Sequence, residues 1–184
     1  MEDTTASLGI DKSVTVYHGS IYAFNKIDVR KGKPYKDFGQ GFYVTYNRSH
    51  AVNLALRNKK LEQKFGRNCS AYLYTFEMSL LNINRFKVKH FLEADIEWLR
   101  FVITNRKSKG SSHNHDIVIG PTADDDTMVV INAYLDELYG EVDSVDAMKT
   151  LLKFIKPDVL PKQVYFATDE STSILTLKGA AQTL

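Results

Sequence analysis

Apolar positions along the chain switch between two periods. Six stretches alternate or run in β-branched and aromatic residues and read as strands, at about 13–18, 41–45, 71–78, 84–88, 116–120 and 162–168. In Tyr72-Leu73-Tyr74-Thr75-Phe76-Glu77-Met78 the aromatic positions share one face. Four other stretches repeat every three or four residues and read as helices. Over about 49–65, Val52, Ala55, Leu56, Lys59 and the Leu61–Phe65 pair give an apolar stripe with a basic back. Over about 92–105 the stripe is Ile96, Leu99, Val102 and Ile103, with Trp98 and Phe101 beside it. Met128, Ile131, Leu135 and Leu138 mark a helix over about 127–138, and Met148, Leu151, Leu152 and Ile155 one over about 144–155. A last short helix begins near Thr168-Asp169-Glu170, where Thr168 or Asp169 can cap it and acids suit the positive end. Strands and helices mix without a regular βαβ alternation, which predicts an α+β fold rather than a doubly wound parallel sheet.

Size changes this picture little. The 184 residues are enough for one core, and neither a repeat nor a proline-rich linker divides them. The expectation is one domain over 13–184 behind a loose N-terminus at 1–12. Hydrophobic residues at 43% and charged residues at 25% are an ordinary globular balance, and a formal charge of +2 does not argue for nucleic acid by itself. The sequence has no apolar run of roughly 18 residues, so no membrane span is expected. Its start has neither the basic flank nor the apolar stretch of a secretion signal. Cys69 is the only cysteine, which rules out an internal disulfide and a cysteine-rich metal site and suits a reducing cytoplasm.

The candidate chemistry lies in two strand segments. One is Val14-Thr15-Val16-Tyr17-His18-Gly19-Ser20, the other Asp37-Phe38-Gly39-Gln40-Gly41-Phe42-Tyr43-Val44-Thr45. Each sets a ring residue beside glycine, and the second runs into a helix. Gly39-Gln40-Gly41 precedes its strand, whereas a dinucleotide-binding glycine loop follows one. Asp37-Phe38-Gly39 has neither the catalytic loop nor the lid of a kinase around it. A His-Gly strand followed by Gly-Phe-Tyr and a helix resembles the nicotinamide-binding half of ADP-ribosyltransferases of the diphtheria-toxin and poly-ADP-ribose polymerase type.

That resemblance implies a split β-sandwich of two small sheets with surrounding helices, and NAD as substrate. Breaking a nicotinamide–ribose bond needs a grip on the ring, a hold on the ribose and stabilisation of positive charge at C1′. By resemblance, His18, Tyr43 and Gln163 form the catalytic set. His18 would bond a ribose hydroxyl on the adenosine or the nicotinamide side. Tyr43 would pack on the nicotinamide, where an aromatic face is worth roughly 0.5–1.5 kcal/mol beyond area burial. Gln163 opens a late strand where the polymerases carry glutamate, which resembles the His-Tyr-Gln variants and argues for mono-transfer. Gly19 would offer its backbone to the carboxamide, and Tyr17, Ser20, Gly41, Phe42 and Thr45 complete the cofactor-binding strands. A second stacking tyrosine is replaced by Leu54 or a neighbour. Asp169 and Glu170 are charged rivals to Gln163. The basic loop of Arg30, Lys31, Lys33 and Lys36 is either a solvated loop or a pyrophosphate contact, where Arg30 could bond bidentately. Arg106 reads as a helix-end charge match or a substrate contact. Asp124-Asp125-Asp126 reads as a turn capping the next helix or a hard-cation ligand. His113-Asn114-His115 is too poor in ligands for zinc.

More of the chain resembles one bacterial group in the same clan, the domain-of-unknown-function family 3990. The shared pattern is Tyr17–Gly19, Asp37–Thr45, Trp98–Val102 with Asn105-Arg106, Asp116–Pro121 with Ala123–Asp125, and Gln163–Glu170, which covers about residues 14–177. It singles out Asp37, Arg106, Asp124 and Asp125 as further site candidates. The implied function is a cytoplasmic mono-ADP-ribosyltransferase, a toxin or effector that passes ADP-ribose from NAD to a protein or nucleic acid, with a cognate antitoxin as a possible partner. The alternative is a degenerate NAD- or nucleotide-binding module of the same fold. The basic residues Arg57, Lys59, Lys60 and Lys64 suit a nucleic-acid acceptor and a solvated helix face equally.

Overall fold

The computed structural model describes residues 12–123, 125–155 and 160–184. The N-terminal segment therefore lies, but for Lys12, outside the described residues. Eight strands follow in chain order: β1 (Ser13–Ser20), β2 (Phe42–Thr45), β3 (Tyr72–Ser79), β4 (Val88–His90), β5 (Ile117–Pro121), β6 (Lys162–Phe166), β7 (Leu175–Leu177) and β8 (Gln182–Thr183). Among the described residues, four helices accompany them: α1 (Arg48–Lys64), α2 (Ile96–Lys107), α3 (Asp125–Leu135) and α4 (Val145–Ile155). The α+β class read from the sequence holds.

The expectation of two small sheets is corrected. The strands form one hydrogen-bonded sheet in the order β4-β5-β6-β2-β1-β3-β7, with β8 also on β3. It is continuous because β2 pairs with β6 on one side and with β1 on the other. The two joints are unequal. β2 and β6 are in register from Phe42↔Phe166 to Thr45↔Gln163, whereas β1 meets β2 at one pair, Tyr17↔Thr45. β1 and β3 then pair along eight residues, Ser13↔Ser79 to Ser20↔Tyr72. The sheet thus has two wings, which curl toward each other.

Alternation along the strands decides what each face buries. Val16, Phe42, Val44, Tyr74, Phe76, Met78, Ile117, Val164 and Phe166 form one core between the wings. On the opposite face, Val118 and Tyr165 meet Phe38 and the inward stripes of three helices: Trp98, Leu99 and Val102 of α2, Ile131 and Tyr134 of α3, and Met148 and Leu151 of α4. Each such large side chain, fully buried, contributes on the order of 1.5–3 kcal/mol. Asp95 caps α2 by accepting from the Trp98 N–H at 2.8 Å, and the Trp98 indole N–H reaches the Pro121 carbonyl at 3.0 Å. Asn47 caps α1 at the His50 N–H.

Several boundaries depart from the sequence reading. The stretch at 84–88 starts inside a 3-10 turn, Ile83–Arg85, and the strand begins only at Val88. The expected helix over 127–138 ends at Leu135, because Glu137 takes a left-handed φ of 61° beyond it, and Leu138 is exposed. In α1 the buried residues are Ala51 and Ala55, while Leu61 and Phe65 face water. The last expected helix is the 3-10 turn Ser171–Ile174, anchored by Thr168, whose hydroxyl accepts from the Ser171 N–H at 3.1 Å. Among the described residues, no helix is long and apolar enough to cross a membrane.

Candidate functional site

Among the described residues, the most densely bonded side chain is a carboxylate. Asp37 is 4% exposed and receives donors from four residues in three parts of the chain. Its Oδ1 accepts from Arg106 of α2, with Nε at 2.7 Å and Nη2 at 2.5 Å. Its Oδ2 accepts from the Gln163 amide of β6 at 2.8 Å, the Ala123 N–H at 2.9 Å and the Thr122 hydroxyl at 3.3 Å. Arg106 Nη2 also donates to the Ala123 carbonyl at 3.1 Å. A charge buried to this degree persists when it is paired and its lone pairs are filled, and both conditions are met. The network orients Gln163. Its Nε2 is committed to Asp37, so the amide presents Oε1, an acceptor, on its other side.

Tyr43 lies on the same face, since the pairs Tyr43↔Tyr165 and Thr45↔Gln163 sit directly across β2 and β6. The Tyr43 hydroxyl donates to the Gly39 carbonyl at 2.6 Å and accepts from the Phe38 N–H at 3.1 Å. Burial, with the Asp37 charge nearby, pushes this phenol well above its ordinary pKa, so it remains a donor. The hydroxyl is thus spent on holding the 37–40 segment; the ring is what Tyr43 can offer a ligand. Gly41 is required here by contact, because a Cβ would stand 2.3 Å from the Tyr165 ring. Tyr165 donates to the Gln40 carbonyl at 3.1 Å. The loop before β2 closes on itself, with the Gln40 amide donating to the Arg30 and Gly32 carbonyls at 2.8 and 2.9 Å. At its tip the Lys36 ammonium is pulled down, mainly by partial burial and further by Arg106, Lys33 and Arg57, against the opposing pull of Asp37.

His18 is placed differently. It lies with the inter-wing core, stacked on Phe42 at 4.4 Å between centroids and close to Phe24 and Tyr74. Tyr43 and Gln163 face the other way. The His18 ring nevertheless reaches the seam, with Nδ1 2.7 Å from the Tyr43 carbonyl. A carbonyl only accepts, so Nδ1 carries the proton and Nε2 keeps a lone pair. Burial lowers the His18 pKa from 6.5 to about 4, with the Tyr43 carbonyl opposing, so the imidazole is neutral at pH 7. Tyr17↔Thr45 is the one backbone rung between the two strands, and Gly19 lies two residues beyond it. Its Cα is covered by α1, where an added Cβ would fall 1.9 Å from the Ala51 carbonyl oxygen.

The remaining sequence candidates divide. Thr45 joins the site strand to β6 through its hydroxyl on the Lys162 carbonyl at 3.0 Å. Tyr17, Ser20 and Phe42 are strand residues around the seam, with Phe42 in the inter-wing core. Arg30 is not brought in: its 82%-exposed guanidinium forks onto Asp28 at 2.9 and 3.2 Å. Asp169 accepts from the Val29 N–H at 3.2 Å and pins that turn, and Glu170 is exposed before the last 3-10 turn. Neither contacts the Asp37 network. Asp124 and the side chain of Asp125 lie outside the described residues; Asp125 opens α3. Sequence reasoning missed the second support of the site. His113 sits 2.8 Å from the Phe38 carbonyl through Nε2 and stacks on Phe101, while its Nδ1 accepts the His115 N–H. Asn105, wholly buried, holds the same loop through Ser112. The Asn105-Arg106 pair was the one local signal for this arrangement.

Fold and site together define an α+β protein whose curled sheet carries a buried, carboxylate-centred polar cluster beside a parted pair of strands. The chain belongs to the family described as Protein of unknown function (DUF3990), whose model matches residues 14–177. Neither the curated proteins nor the solved structures contain a match to it.

Proposed function

We propose that this protein binds NAD at the seam where β1 and β2 part and transfers its ADP-ribose to a macromolecular acceptor. The observation that carries the reading is the seam itself: strand pairing stops after Tyr17↔Thr45, with Gly19 on one lip, Tyr43 on the other and an oriented Gln163 on the next strand. A ring seated there meets the Tyr43 side chain and the backbone around Gly19. On the Tyr43 face the Gln163 Oε1 is an acceptor suited to a ribose hydroxyl, while the neutral His18, on the opposite face, holds the Tyr43 carbonyl and so fixes the seam strand. In the reaction the C1′–N bond breaks and its electron pair leaves with nicotinamide. A nucleophilic oxygen or nitrogen of the acceptor bonds C1′ and loses its proton. Fixed acceptors around a cation-like ribose favour such a loose transition state without a strong nucleophile.

The test incubates the protein with NAD labelled in the adenylate and a bacterial lysate, with nuclease and protease arms. Label transfer that falls at least tenfold in Gln163→Ala and in Tyr43→Leu, and less in Tyr43→Phe, which keeps the ring but releases the 37–40 segment, is the expected result. Transfer unchanged in Gln163→Ala overturns the site assignment.

A second reading rests on one observation. The site's carboxylate among described side chains, Asp37, is consumed by Arg106 and Gln163, which leaves little negative charge for an oxocarbenium. On that reading the seam binds NAD without turnover. Calorimetric NAD binding with no nicotinamide release would select it.

A further inference from the structure

We infer that the solvent face of α1 docks single-stranded nucleic acid. Helical spacing places Asn53, Arg57, Lys60 and Lys64 on one stripe, opposite the buried Ala51 and Ala55 that seat the helix on Gly19. The stripe is about 17 Å long and holds no carboxylate. Helix α1 carries five cations and one acid, Glu62, whereas the whole chain has a formal charge of +2; the rest of the protein is therefore net negative. Glu62 does not offset the stripe, because it is turned to Arg67. Cations spaced three and four apart on a helix repel one another and weaken it. Lys60 and Lys64, four apart, do so on a helix that fully buries only two alanines, so a polyanion on this face would relieve their repulsion.

Two features favour nucleic acid over an acidic protein. Phe65, just past the helix, is 66% exposed with the Arg67 guanidinium 5.4 Å from its ring centroid, a platform on which a base can stack. The stripe also leads toward the site, since α1 begins at Arg48, directly after β2, and seats Ala51 on Gly19. A strand lying along α1 would bring its chain to the seam. Its role as the ADP-ribose acceptor rests on the transferase reading; the docking surface does not.

Fluorescence anisotropy of the full chain, without NAD, tests this with labelled single-stranded RNA and DNA of mixed sequence. Binding should weaken with salt, and Lys60→Glu/Lys64→Glu should lose at least tenfold in affinity. The neutral Lys60→Gln/Lys64→Gln variant should flatten the salt slope by roughly 1.4, for two phosphate contacts. Lys60→Arg/Lys64→Arg should retain affinity, and Lys153→Glu on α4 should change it less than twofold. Three outcomes overturn the inference: no binding at low salt, equal loss in Lys153→Glu, or full competition by polyglutamate of matched charge. Loss of binding in the double variant while NAD still fails to react would uphold this surface and sink the transferase reading alone.

Discussion

Asp37 shows how a buried charge can organise a site without being exposed to it. One carboxylate fixes a guanidinium, an amide, a hydroxyl and a backbone N–H, and through the amide it decides which atom Gln163 presents. Asp37→Ala strands both Arg106 and Gln163 and should cost about 3 kcal/mol in urea unfolding. Asp37→Ala/Arg106→Met should cost less than the sum of the single changes. Strict additivity would mean that the pair does not interact. Reading this residue from the sequence was only half possible. Asp37, Arg106 and Gln163 each stood in a recognisable segment. Their meeting is a contact across 69 and 126 residues of chain, and no local pattern encodes it. Arg30 failed for the converse reason: its basic loop looked like an anion site, but Asp28, two residues away, takes its fork.

At the level of elements, periodicity located nearly every strand and helix, because each buries one face against a common core. It failed where burial is partial. In α1 the apolar spacing suggested a broad stripe, but the helix is seated through Ala51 and Ala55 and sheds Leu61 and Phe65 to solvent. The reason is the close approach at Gly19, which admits the helix backbone and leaves no room for large side chains. Gly19→Ala should therefore destabilise the fold by about 1–3 kcal/mol through overpacking, measured by denaturant titration. Gly110→Ala, where an added Cβ meets nothing within 4 Å, should stay within about 0.5 kcal/mol. Equal effects would mean that α1 does not rest on Gly19. The short β7 and β8 escaped the sequence because two or three residues carry no period, and their pairing with β3 comes from position alone.

Across the whole molecule, stability depends on how the wings close over the aromatic cluster that contains His18. Its pKa falls from 6.5 unfolded to about 4 folded. Between those values the unfolded chain binds the proton and the folded chain does not, so stability should fall as pH drops from 6.5 toward 4. The ceiling is about 3 kcal/mol, reduced because the ring keeps some access to water. Thermal melts across that range should show the slope. His18→Gln, which keeps a donor for the Tyr43 carbonyl, should flatten it, leaving the share of His113, also lowered chiefly by burial. An unchanged slope would place the titration elsewhere. The joint these wings share is narrow: one rung, Tyr17↔Thr45, and one imidazole latched to a carbonyl. In mechanical terms the sheet is a book with stiff covers and a soft spine. A ligand seated at the seam would be gripped along that spine, and it would damp the relative motion of both covers at once.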